Sequence, residues 1–250
     1  DFSRVIPVEF LYEQLINKSL ILIENHCNKY NIDESHNHIH SKEVLNYGIE
    51  LINSVGNFTE DEIKISLLGC LFHDTIDHKY LGKDINLDNI LYNLFLSLNN
   101  KTINNSIMNI TSFFINNMSY SKTTLSKHNS IVFELPEVVK EHPYIRSYHI
   151  MRNADLLSSY NLKRALIYSS LKKNLKSRTE LFYELEDFYR KRISLLRKNK
   201  ILSLDNNYCN HKSYILEYKV RKKLDFYRKY FIECGRNLEW EDMLDFFDIQ

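Results

Sequence analysis

The chain has 250 residues with a formal net charge of +1, and only five Gly and three Pro punctuate it. Such a length buries a sizeable core, and the scarcity of turn residues excludes a fold of many short strands, which needs them at every corner. Cys27, Cys70, Cys209 and Cys234 form no Cys-x-x-Cys pair, which excludes a zinc knuckle or a disulfide framework. Free thiols in a reducing compartment fit instead.

Phe10, Leu11, Leu15, Ile16, Leu20 and Ile23 recur at helical spacing and predict a first helix over about 7–30. The polar stretch NIDESHNHIH (31–40) leads into a second helix marked by Val44, Leu45, Ile49 and Leu51, which Gly56-Asn57 breaks. Thr59-Glu60-Asp61-Glu62 has the Thr-x-x-Glu spacing of a capping box. The helix it opens, IKISLLGCLF, is apolar nearly all round and is expected at the centre of the core, with His73-Asp74 at its C-terminal end. Asn-rich helices are expected over 86–100 and 104–118. A looser stretch with Ser119, Ser121, Pro136 and Pro143 leads to a helix around 145–172 that carries Arg152-Asn153-Ala154-Asp155. Two long amphipathic helices over about 178–200 and 211–233 follow, with LDNNYCN (204–210) as the turn of a helical hairpin. Alternation at period two is nowhere sustained, and no repeat or linker stands out. The expectation is an all-α single domain.

Charge is unevenly spread. Residues 161–230 hold 19 Lys or Arg against 7 Asp or Glu. Such a surplus attracts phosphates, nucleic acid or a membrane surface, but acids are interspersed and a solvated helical face is the first reading. No segment approaches the ~20 apolar residues of a membrane span, so a cytoplasmic protein without a membrane partner is expected.

His73-Asp74 alone reads first as a helix C-cap, because a histidine near the last carbonyls favours the helix dipole. Three further features point elsewhere. His36 and His40 stand four apart at an expected helix start and can share a face. Asp155 lies in MRNADLLSSY, between Ala and Leu-Leu, a poor context for solvent. Asp77 and Lys79 follow His73-Asp74 closely enough to reach the same cavity.

Together DESHNHIHSKEV, LLGCLFHDTIDHK and NADLL resemble the motifs of the HD-domain metal-dependent phosphohydrolases, a family of helical bundles with a His…His-Asp…Asp signature. The likeness is greatest to the small bacterial-type members that act on nucleoside triphosphates, and it runs from about residue 33 to 239. It implies an HD-type bundle with its motif core over about 33–170 and a C-terminal hairpin of helices over about 178–233. It further implies that His40, His73, Asp74 and Asp155 hold one divalent ion. Such mixed nitrogen and oxygen ligation suits Mn, Fe, Co, Ni or Mg.

Asp77 is then the candidate general base, with Asp74 as a catalytic metal ligand and His36 as a phosphate contact or acid. Lys79, Lys122 and Arg221 are candidate phosphate contacts. The implied reaction splits a (deoxy)nucleoside triphosphate into monophosphate and pyrophosphate. Nucleoside monophosphate or alarmone hydrolysis is the runner-up, and a metal- and nucleotide-binding module without turnover, as monomer or homodimer, is the alternative class. Glu43, where relatives often carry Arg, and Leu156-Leu157 after Asp155 depart from the family pattern.

Overall fold

The computed structural model describes residues 7–127, 130–174 and 177–249, leaving aside the His78 side chain. It is an all-α fold in which a pair of four-residue strands is the one sheet among the described residues. The chain divides into two compact units, Asp1–Leu125 with Glu134–Asp155, and Ser126–Phe133 with Leu156–Gln250.

In chain order the helices begin with α1 (Val8–Leu11), α2 (Glu13–Tyr30), α3 (His38–Val55), α4 (Glu60–Phe72) and α5 (His78–Leu81). Next come α6 (Leu87–Ser97), α7 (Asn105–Asn117) and α8 (Tyr120–Thr123). Strands β1 (Thr124–Lys127) and β2 (Ser130–Phe133) precede α9 (Ile145–Ser158). Then follow α10 (Leu162–Lys172), α11 (Arg178–Phe188), α12 (Leu195–Lys198), α13 (Asn207–Tyr227) and α14 (Trp240–Phe246), with π-helical turns at Tyr189–Ile193 after α11 and Arg228–Ile232 after α13.

The first unit is organised around α4, as its uniform apolarity requires. Ile65, Leu67, Leu68, Cys70, Leu71 and Phe72 are all fully buried. Thr59 and Glu62 form the expected capping box: the Glu62 N–H donates to Thr59 Oγ1 at 3.2 Å, and the Thr59 N–H to Glu62 Oε2 at 2.8 Å. Helices α3 and α7 pack on α4, and α2 packs on both α3 and α4. Gly48 of α3 lets the helices approach closely, since a Cβ there would stand 2.6 Å from Cys70 Sγ of α4 and 3.9 Å from Ala154 of α9.

The second unit has an aromatic core. Phe182 of α11 stacks on Tyr227 of α13 with centroids 5.1 Å apart. Phe247 lies 5.2 Å from Tyr227, and the Lys163 N–H donates to the Phe247 carbonyl at 3.1 Å. Ion pairs join Arg197 of α12 to Glu217 of α13, and Arg228, just past the end of α13, to Glu186 of α11.

Several boundaries differ from the sequence expectation. The first helix is interrupted at Tyr12, which leaves helical geometry at ψ 17°. The segment 145–172 is two helices, because α9 stops at Ser158 and Asn161 starts α10 by accepting the Lys163 N–H on its side chain. The strand pair occupies the looser stretch, too short to show an alternating pattern. Helix α3 begins at His38 with Asn37 as its N-cap. His36 therefore precedes the helix, and the pair His36/His40 does not share a helical face. No described helix is long and apolar enough to cross a membrane.

Candidate metal centre

Four side chains from three places in the sequence meet in the first unit. His40 sits in the first turn of α3, and His73 is the C-cap of α4 with Asp74 next to it. Asp155 follows Ala154 on α9, whose buried side chain faces the α3–α4 contact. The His40 and His73 Nε2 atoms lie 3.1 Å apart. Asp74 Oδ2 is 3.1 Å from His40 Nε2 and 3.4 Å from His73 Nε2. Asp155 Oδ1 is 3.7 and 3.4 Å from the same two nitrogens.

The separations among His40, His73 and Asp74 suit one ion, whereas the 3.7 Å from Asp155 to His40 is longer. Donors about 2.1 Å from a common centre stand about 3.0–3.4 Å apart, the edges of octahedral and tetrahedral shells. The ring orientations agree. His73 Nδ1 donates to the Cys70 carbonyl at 2.9 Å, so Nε2 is the nitrogen that faces the cluster. His40 Nδ1 is 4.0 Å from Glu43 Oε2, so a carboxylate stands behind this imidazole. Both imidazoles are buried, while Asp74 and Asp155 keep 23% and 27% of their side-chain surface open. The opening is thus on the carboxylate side, and His40, His73 and Asp74 alone already form a group able to hold a metal ion.

Charge coupling is strong. Burial opposes a charged His73, yet the carboxylates of Asp74 and Asp155 raise its pKa well above the ordinary imidazole value. Burial likewise opposes ionised Asp74 and Asp155, but His73 and His40 pull both below the usual carboxylate range. The cluster prefers to hold positive charge, which a proton or a metal ion supplies.

The other predicted residues separate into three groups. His36 stands beside the cluster, its ring centroid 6.4 Å from that of His40. Asp77 and Lys79 are engaged with each other: Asp77 Oδ1 accepts the Lys79 N–H at 2.8 Å, and Asp77 Oδ2 is 3.2 Å from Lys79 Nζ. Asp77 is thereby a cap for α5. Lys122 is exposed and donates to the Asn116 carbonyl. Arg221 is exposed on α13 and belongs to the second unit.

Sequence reasoning named Arg152 as a source of positive charge near the site but missed its partner and the support from His26. His26 Nε2 lies 2.8 Å from the Thr75 carbonyl and steadies the turn after Asp74 from 49 residues away. Arg152, 1% exposed, donates through Nε to Thr123 Oγ1 at 3.1 Å one turn before Asp155. Burial lowers its pKa to about 10, so it remains a cation. The one signal in the sequence was Asp33-x-Ser35, the spacing of a turn in which an Asp side chain accepts the N–H two residues on. Asp33 Oδ1 accepts the Ser35 N–H in this way at 3.0 Å.

Comparison of the chain with family models, with curated proteins and with solved structures returned no match.

Proposed function

We propose that the protein is a metal-dependent phosphohydrolase acting on nucleotides, in its most specific form converting a (deoxy)nucleoside triphosphate to monophosphate and pyrophosphate. One observation carries the reading. Two imidazole nitrogens and two carboxylate oxygens, from sites up to 115 positions apart in the sequence, stand within 3.1–3.7 Å of one another across the measured imidazole–imidazole and imidazole–carboxylate pairs. An open mixed set of this kind favours a catalytic ion such as Mn, Fe, Co, Ni or Mg over a closed structural zinc.

When bound, such an ion supplies a Lewis acid that acidifies water and neutralises charge building on a phosphoryl oxygen. The protein supplies the rest. His73 and His40 present fixed lone pairs, and the open edges of Asp74 and Asp155 leave room for a phosphate and a water. Lys79, about half exposed, is a movable cation on the next turn, suited to a phosphate tail as a point charge. The alternative, a metal- and nucleotide-binding module without turnover, draws on the engagement of Asp77: a carboxylate that caps α5 and pairs with Lys79 is poorly placed to act as a base.

The deciding experiment incubates nucleoside mono- and triphosphates with the protein and Mn²⁺, Co²⁺, Ni²⁺ or Mg²⁺. Pyrophosphate release that disappears in Asp74→Ala and persists in Lys198→Ala supports the enzyme. Retained metal with no release from any substrate supports the module, and equilibrium dialysis showing no bound ion near neutral pH removes both.

A further inference from the structure

The groups behind His36 decide which of its nitrogens carries hydrogen. Asp33 Oδ1 accepts the Ser35 hydroxyl as well as the Ser35 N–H. Asp33 Oδ2 accepts the Tyr80 hydroxyl at 2.8 Å. Burial works against ionised Asp33, but the bonds from Ser35 and Tyr80 hold its pKa below the usual value. An ionised carboxylate only accepts, so both hydroxyl hydrogens are committed to Asp33. Yet Ser35 Oγ is 2.6 Å and Tyr80 Oη 3.2 Å from His36 Nδ1. Both oxygens can offer Nδ1 only lone pairs, so Nδ1 must be the donor. In the neutral ring Nε2 then carries no hydrogen.

We infer that Asp33, Ser35 and Tyr80 lock His36 in the Nδ1–H tautomer, so that its Nε2 serves the neighbouring centre as the proton acceptor for attacking water. The catalytic half of this inference rests on the phosphohydrolase reading; the tautomer does not. In the step, the water oxygen bonds to phosphorus while Nε2 takes one of its protons. The phosphorus–oxygen bond to the leaving group breaks, and that group departs with the electron pair. The imidazolium then releases its proton to the departing phosphate or to solvent. Asp33 stabilises the imidazolium through the two hydroxyls, as a buried carboxylate does behind a catalytic histidine. Asp77, held by Lys79 and α5, leaves the base position to His36.

Long-range ¹H–¹⁵N correlation spectra of histidine-labelled full-length protein with Mg²⁺, taken where the ring is neutral, test the lock directly. The expected result is a protonated Nδ1 and a bare Nε2 on His36, moving toward the Nε2–H form in Asp33→Asn and in Tyr80→Phe with Ser35→Ala. These variants are expected to lose about 10²-fold in kcat with KM little changed and metal affinity retained. Tyr80→Phe alone, a near-isosteric change, is the control for folding and gives a partial shift. An Nε2–H tautomer in the unaltered protein overturns the inference, as does full kcat in a variant whose tautomer has shifted. If no nucleotide is hydrolysed at all, the base role falls with the enzyme reading, while the spectrum still decides the lock.

Discussion

On the proposed reading, a proton and a divalent ion would compete for the Nε2 lone pair of His73, and the competition has a sign. Without an ion, the folded-state pKa of His73 lies well above its ordinary value, and those of Asp74 and Asp155 lie below theirs. The histidine contribution to stability is complete below the unfolded value of about 6.5 and is lost as pH rises through the folded one. The carboxylate contributions are complete above about 4 and are lost as pH falls through their folded values. An ion replaces the proton, so the rise in Tm on adding Mn²⁺ is expected to be larger at pH 8 than at pH 6, read by thermal melts at both. A rise that shrinks between those pH values contradicts the ligand set. His149 behaves oppositely: burial, and then the Arg152 cation, lower its pKa to about 4. Stability is undiminished above about 6.5 and falls toward pH 4, because the unfolded chain takes up the proton first. His149→Gln is expected to reduce the loss between pH 7 and pH 5 by roughly 2 kcal/mol, measured by urea titration at each pH.

At the scale of elements, α4 links a start legible in the sequence to an end that the centre uses. Thr59→Ala removes the acceptor for the Glu62 N–H and is expected to cost about 1 kcal/mol in urea unfolding. Metal affinity should stay unchanged, since His73 and Asp74 are at the other end. The approach of α3 to α4 is less forgiving. Gly48→Ala places a methyl 2.6 Å from Cys70 Sγ and is expected to destabilise by about 1–3 kcal/mol. Adding Cys70→Ala should restore part of that loss, and a double-mutant cycle with no coupling would refute the contact. Both sites illustrate what a single sequence conveys. A cap is a relation between residues three apart, so Thr59 and Glu62 announce it. The reason for glycine at 48 lies on another helix, and nothing around Gly48 states it.

For the whole molecule, the C-terminal segment completes the second unit. Met243, Phe247 and Ile249 are buried, and the Asn161 amide donates to Asp248 Oδ1 at 2.9 Å. Ending the chain after Glu239 removes all of these, and Tm is expected to fall by roughly 10 °C or more in calorimetry. The sequence by itself determined the all-helical class, the buried α4 and its capping box, because spacing, apolarity and capping are local properties of the chain, whereas the set His40, His73, Asp74 and Asp155 was only what the resemblance implied. The break at 159–161, the short strands and the start of α3 after His36 escaped it, since a turn of a few residues carries little periodic signal. Only the tertiary structure decided that Asp155 comes within 3.4 Å of His73 and that Asp77 turns to Lys79. It alone placed Asp33, Ser35 and Tyr80 around one ring nitrogen. Tyr80 stands 47 positions from Asp33, and which distant side chains share a hydrogen bond is settled by how the helices pack, a property no local stretch of sequence contains.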